Sequence, residues 1–262
     1  MAMGRFHRHD DGTVHTHEHD DHPHAHPRDH GDHSGYHTGS QRIDVLEAIF
    51  AENDVRADLN RQAFEHNRVR AINLMSSPGS GKTTVLQATL DELAGDIAVG
   101  VIEGDIATDL DAAKLGGRGA QISLLNTGNG FGGECHLDAP MVNRALQGLD
   151  LARLDLVIIE NVGNLVCPAE FDVGEHAKAM VYSVTEGDDK PLKYPVMFRA
   201  VDVVLLNKID LVPYLEVDVD SYIARVREVN PTATILPVSA RTGVGMADWF
   251  DWLRQFTAGS AA

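Results

Sequence analysis

Ser76-Ser77-Pro78-Gly79-Ser80-Gly81-Lys82-Thr83-Thr84 stands between the apolar run Ala71-Ile72-Asn73-Leu74-Met75 and a stretch, Lys82 to Leu93, with apolar residues at helical spacing. A short strand followed by a Gly-rich turn and then a helix is a phosphate-binding arrangement. Gly79 and Gly81 let consecutive N–H groups turn inward, and the helix N-terminus adds a positive end. Lys82 supplies a point charge for β- and γ-phosphates. The Thr83 hydroxyl is placed to ligate Mg²⁺, Thr84 is within reach of an α-phosphate, and Ser80 lies in the cradle. The strict pattern wants Gly at position 76, where this chain has Ser76.

Outward from this loop, the chain alternates. Ile97–Ile102, Gln121–Leu125, Leu154–Ile159, Met180–Val184, Val201–Leu206 and Thr234–Val238 read as strands. Residues 108–115, Met141–Leu149, Val219–Val229 and Met246–Phe256 read as helices, and 41–66 as one or two helices on the stripe Ile43, Leu46, Ile49, Phe50, Leu59, Phe64. Leu154–Ile159 is apolar throughout, as befits a parallel strand covered on both faces. The expectation is an α/β fold, a doubly wound and mostly parallel sheet, over residues 41–262.

A second motif follows the strand ending at Leu206. In Asn207-Lys208-Ile209-Asp210 the carboxylate can accept from guanine N1–H and the N2 amine, donors adenine lacks. Asn207 can bond N7 and the Lys208 stem can cover the ring. Ser239 and Ala240, after the last strand, offer backbone N–H groups to O6. A site built around such hydrogen bonds can discriminate by about 10⁴ or more. The nucleotide is therefore read as GTP/GDP.

Glu160-Asn161-Val162-Gly163 closes the apolar strand. Glu160 is placed to hold Mg²⁺ through water, and the Gly163 N–H to bond a γ-phosphate. Asp105, in Glu103-Gly104-Asp105, reads equally as a Mg²⁺ carboxylate or as a helix N-cap. The expected catalytic set is Lys82, Thr83, Asp105, Glu160 and Gly163. No arginine finger or water-orienting Gln stands out, so intrinsic turnover is expected to be slow.

The chain has 262 residues with 22 Lys plus Arg against 39 Asp plus Glu, a net charge of −17. That field opposes binding to nucleic acid or anionic membrane. No apolar run approaches the roughly 18 residues of a membrane span, and no signal-like stretch opens the chain. Two cysteines exclude a disulfide framework and favour a cytoplasmic setting. Cys135, His136 and Cys167 admit two readings. They are buried fillers, the common fate of cysteine, or soft ligands for Ni²⁺ or Zn²⁺, since both cysteines follow strands at the ligand-bearing edge. Eleven of the 14 histidines fall in residues 1–40, among Asp, Pro and Gly. This segment is expected to be disordered, with His15, His17, His19, His22, His24 and His26 offering loose metal sites.

These residues together resemble the hydrogenase nickel-incorporation GTPases, the HypB proteins. The matching pieces are Ser76–Thr84, Glu103–Asp105, Gly133-Glu134-Cys135-His136-Leu137, Asn207–Asp210, and above all Glu160-Asn161-Val162-Gly163-Asn164-Leu165-Val166-Cys167-Pro168, which joins a nucleotide switch to a thiolate. The resemblance implies a GTP-dependent homodimer carrying nickel or zinc at Cys135, His136 and Cys167. It further implies delivery of Ni²⁺ to the [NiFe]-hydrogenase large-subunit precursor, with a HypA-like metallochaperone as partner and nickel storage by the His-rich segment. Some relatives carry an N-terminal Cys-x-x-Cys-Gly-Cys site; no cysteine precedes Cys135 here. A urease-type nickel GTPase would carry Cys-Pro-His, whereas Cys167-Pro168 is followed by Ala169. A nickel-storage protein with incidental hydrolysis is the reading from another class.

Overall fold

The computed structural model describes residues 7–8, 14–15, 38–104, 116–125, 136–166 and 171–259, with the backbone alone described before residue 50. Two units are distinguished, Met1–Ile43 and Asp44–Ala262. In the first, His7–Arg8 pairs antiparallel with Val14–His15. The expected helix at 108–115, together with Asp105, Cys135, Cys167 and the histidines 17, 19, 22, 24 and 26, lies outside the described residues.

Among the described residues the second unit holds seven strands: β1 (Arg70–Ser76), β2 (Val99–Glu103), β3 (Gln121–Leu124), β4 (Leu156–Gly163), β5 (Ala177–Ser183), β6 (Val203–Asn207) and β7 (Thr234–Pro237). Their order is β3-β2-β4-β1-β5-β6-β7, and every neighbouring pair is parallel. The α-helices among the described residues are α1 (Thr38–Asn67), α2 (Lys82–Leu93), α3 (Ala139–Leu146), α4 (Lys190–Lys193), α5 (Pro195–Arg199), α6 (Val219–Val229) and α7 (Met246–Ala258).

Side chains on a strand alternate between faces, and here the alternation divides the core. Ile72, Leu74, Val101, Ile158, Val181 and Leu205 meet α2 and α7 through Leu86, Leu90, Trp249 and Leu253. Their neighbours Ala71, Ile102, Val157 and Ile159 pack with Phe64 of α1 and Met141 and Val142 of α3. On the same side, Met180, Tyr182, Val204 and Leu206 pack with Phe198 and with Tyr222 and Val226 of α6. Strands sandwiched in this way bury both faces, which explains their apolar runs.

Most element bounds match the sequence to within a few residues, and α2 and α6 start and stop as read. Three differences have physical causes. Helix α3 begins at Ala139 rather than Met141 because the Asp138 carboxylate accepts from the Met141 N–H at 2.8 Å, and Pro140 suits the first turn. Strand β4 runs on through Gly163. Its register against β1 slips between Leu74↔Glu160 and Ser76↔Gly163, an extra residue that bends the strand end toward the loop after β1. The stripe read on α1 is only partly the buried one: Phe50 and Leu59 are exposed, whereas Asn53, Ala57, Asn60 and Phe64 are buried. That buried face carries two carboxamides, which a search for apolar periodicity passes over.

Candidate nucleotide site and the segment beside it

Strand β1 lies at the centre of the sheet; the chain passes from it to β2 on one side, and later crosses from β4 to β5 on the other. The carboxyl end of β1 is thus the topological switch point where open α/β sheets bind ligands. Ser76–Thr84 lies there, lining a cavity of ≈ 230 Å³ closed on one side by Gly163. Gly79 and Gly81 have φ of +74° and +101°, conformations open to glycine but strained for other residues. At Gly163 a Cβ would approach within 3.3 Å of Pro78 Cα, so only glycine lets the end of β4 lie against this turn without displacement. A larger cavity of ≈ 380 Å³, lined by Leu90, Ala98, Arg118 and Asp155 among others, sits at the opposite ends of the strands and includes none of these residues.

Lys82 is buried, and its Nζ donates to the Asn161 main-chain O at 2.6 Å and lies 3.2 Å from Glu160 Oε1. Thr83 Oγ1 donates to the same Glu160 oxygen at 3.0 Å. The other carboxylate oxygen, Glu160 Oε2, is buried with no hydrogen-bond partner. An ionised oxygen held out of water without a donor is costly. Beside a threonine hydroxyl it forms a donor set suited to a small divalent cation, which binds through oxygen. The residues present therefore fit Mg²⁺.

The base motif is joined directly to the phosphate loop. Asn207 Nδ2 donates to Ser80 O at 2.9 Å, its Oδ1 accepts from the Ala240 N–H at 3.1 Å, and Lys208 Nζ donates to Gly79 O at 2.6 Å. Asp210 Oδ1 accepts from Ser239 Oγ at 2.6 Å, which fixes the carboxylate. Asn207, Lys208, Asp210, Ser239 and Ala240 thus come together at one edge with Gly79, Ser80 and Gly81. Thr84 and Gly163 line the cavity of the phosphate loop.

Of the soft-metal candidates His136 is described. Its ring stacks on Phe171 at 4.1 Å, and Phe171 stacks on Phe50 at 5.2 Å. The two flanks of this region are tied to α1. Asn53 Nδ2 donates to Asp172 O at 2.8 Å and its Oδ1 accepts from the Ala139 N–H at 2.9 Å. Asn60 Nδ2 donates to Ala139 O and Val173 O, both at 3.0 Å, and its Oδ1 accepts from Asn143 at 2.8 Å. Gly174, at φ +91°, allows the close approach, since a Cβ there would lie 2.6 Å from Ala57 O.

The family model for the CobW/HypB/UreG nucleotide-binding domain matches residues 70–237. The hydrogenase maturation factor HypB of Azotobacter chroococcum mcd 1 is 49% identical over 216 residues, covering 82% of this chain and 70% of that protein. This chain belongs to the HypB family. The crystal structure of HypB from Archaeoglobus fulgidus superposes with a TM-score of 0.73 at 36% identity, covering 79% of this chain and 99% of that one. HypB from Helicobacter pylori, crystallised in complex with nickel, gives 0.73 at 35% identity over 79% of this chain and 96% of its own. The seven-stranded sheet is therefore the P-loop GTPase fold of HypB proteins. Among the described residues no helix is long and apolar enough to cross a membrane.

Several buried polar side chains beside the site were given no role of their own by the motifs. Glu186 accepts from Ser77 Oγ of the phosphate loop and from the Ser183 N–H at 2.9 Å. Ser183-x-x-Glu186 is a capping-box pattern, a signal that was there to be read. Asn73, Asn161 and Glu175 form a buried chain: Asn161 Nδ2 donates to Asn73 Oδ1 at 3.1 Å, and Asn73 Nδ2 reaches Glu175 Oε1 at 3.5 Å. Burial pushes the Glu175 carboxyl above its ordinary range despite the Lys178 ammonium beside it.

Proposed function

We propose that this chain is a slow GTP-hydrolysing nickel metallochaperone for [NiFe]-hydrogenase maturation, cytoplasmic and dimerising with nucleotide state. The observation that carries the reading is the joining of the base motif to the phosphate loop at Ser80 and Gly79 on the edge where Lys82, Thr83 and Glu160 converge.

Phosphoryl transfer to water asks a protein mainly for positioning and charge. The N–H groups around Gly79 and Gly81 orient the β-phosphate. Lys82 moves from Asn161 O and Glu160 toward the β- and γ-phosphates, and the Gly163 N–H meets the γ-phosphate. Thr83 and Glu160, with Asp105, would hold Mg²⁺, which would supply positive charge to the phosphate oxygens. Asp210, Asn207 and Ala240 read guanine, and Lys208 covers it. Nickel, or zinc in its place, is cargo at Cys135, His136 and Cys167, and the histidines of residues 1–40 hold a loose reserve. Hydrolysis then releases cargo toward a HypA-like partner and the hydrogenase large-subunit precursor. The nickel complex of the Helicobacter pylori relative supports the choice of metal.

The test is phosphate release from GTP and ATP, with and without Mg²⁺, together with nickel stoichiometry of the full chain and of Cys135→Ala. The expected result is slow, Mg²⁺-dependent release from GTP alone and loss of tightly held metal in the variant. Equal rates on ATP, or unchanged tight metal in Cys135→Ala, would contradict the reading.

A further inference from the structure

Asn161 belongs to both halves of the region. Its main-chain oxygen accepts from Lys82 Nζ at 2.6 Å. Its side-chain Oδ1 accepts from the Leu137 N–H at 3.0 Å, one residue beyond His136, and from its own strand at Val162 N–H, 2.9 Å. Its Nδ2 donates to Asn73, so the carboxamide is fixed on both sides and cannot flip without losing three bonds. The residue is fully buried. In a low-dielectric setting such bonds are strong and their loss is costly, so a displacement is passed on rather than absorbed.

The segment it holds is seated just as firmly. Leu137 is fully buried, and its side chain fills the space a Cβ on Gly104 would need, at the carboxyl end of β2. The Gly104 N–H donates to Glu160 O at 3.0 Å, so β2, β4 and Leu137 form one joint. Beyond it, Asp138 caps α3, and Ala139 is held by Asn53 and Asn60. An anion in the phosphate cradle draws the Lys82 ammonium, and the Asn161 carbonyl is the group it must leave or share.

We propose that Asn161 is the positioning residue that transmits nucleotide state to the His136 segment, through the pair of bonds Lys82–Asn161 O and Asn161 Oδ1–Leu137 N–H. The consequence for nickel rests on the function proposed above; the transmission does not. A coupling of the usual size corresponds to an affinity change of about 5-fold or more between states.

The experiment compares the full chain with Asn161→Ser and with Leu137→Ala, each with Mg²⁺ and either GDP or a non-hydrolysable GTP analogue. Metal-free amide hydrogen exchange of the peptide spanning 136–146 is the primary reading, with a thermal melt establishing that each variant is folded. In the unaltered chain exchange at this peptide is expected to differ between the two nucleotides. The difference is expected to vanish in Asn161→Ser, with nucleotide affinity held within about 3-fold, a change under one kcal/mol. Leu137→Ala, which loosens the same joint from the other side, is expected to diminish it and carries the test if Asn161→Ser does not fold. A purely structural role would lower the melting point of a variant yet leave the difference between nucleotides in place. No difference in the unaltered chain, or a difference that persists in the folded variants, overturns the inference. Nickel affinity is measured alongside. A nickel affinity indifferent to nucleotide in the unaltered chain, with the exchange difference present, would overturn the metal half of the proposed function and leave the transmission standing.

Discussion

Replacing Asn60 by Ala is expected to destabilise the protein far more than an exposed helical substitution would. Asn60 is fully buried on α1 and makes three hydrogen bonds, to Ala139 O, Val173 O and Asn143 Nδ2. Each such bond contributes about 1 kcal/mol net, and a buried partner left without its only hydrogen bond adds a desolvation cost. Removing all three therefore costs about 3–4 kcal/mol. That is a large part of the roughly 5–15 kcal/mol that keeps a domain folded. At roughly 2–4 °C per kcal/mol for a domain of this size, the melting temperature is expected to fall by about 6–16 °C. Circular dichroism across a urea titration and a thermal melt measure it. Asn60→Asp sharpens the test by setting a carboxylate against two carbonyl oxygens. Its pKa is expected to rise above the unfolded value, since only the protonated form can donate, so this variant loses further stability as pH climbs above the unfolded carboxyl pKa. A loss under about 1 kcal/mol for Asn60→Ala would refute the reasoning, because it would mean water reaches those carbonyls and the flanks of His136 are not held by α1.

Gly81→Ala is expected to weaken GDP binding at least tenfold in a fluorescent-nucleotide titration. Its φ is +101°, and a Cβ would lie 2.5 Å from the Asn207 Nδ2 that braces Ser80; left-handed backbone alone costs an L-residue about 1–2 kcal/mol. Asp210→Asn is expected to reduce the preference for GTP over xanthosine triphosphate by about 10² or more in competition, since the amide presents a donor where guanine also donates. His176 Nδ1 accepts from the Ala71 N–H at 3.0 Å, and burial, with Arg70 nearby and Glu65 opposing, holds its pKa below the usual 6.5. The unfolded chain takes up this proton first, so the His176 contribution is intact above pH 6.5 and lost as pH falls through the window below it. His176→Asn, whose Oδ1 can take the same N–H, is expected to flatten the fall in melting temperature between pH 7 and pH 5.5.

The candidate nucleotide site is legible in the sequence because the chemistry it is proposed to perform is local. A phosphate cradle needs glycines, a lysine and a hydroxyl at fixed spacing where a strand meets a helix, and Gly79 to Thr83 supply them within the nine residues Ser76–Thr84. Asn207–Asp210 and Ser239–Ala240 were legible by the same logic, at the ends of two apolar strands. What stayed hidden was non-local and polar. Asn53 and Asn60 look like solvent-facing positions in a sequence, and only the carbonyls of Ala139, Asp172 and Val173, some 80 to 120 residues away, make them interior. Asn161 read as part of a switch, yet its side-chain partners lie on β1 and beside His136. The short helices α4 and α5 were missed because Pro191 and Pro195 break any period before it can build.

In the function proposed, nucleotide state and custody of the metal form one equilibrium. The most direct measurement is nickel binding by equilibrium dialysis to the full chain with Mg²⁺ and either GDP or a non-hydrolysable GTP analogue, repeated on Cys135→Ala so that loose binding by the His-rich segment subtracts out. The Cys135-dependent nickel is expected to differ in affinity between the two nucleotides by about 5-fold or more. The same affinity and stoichiometry with both would contradict it.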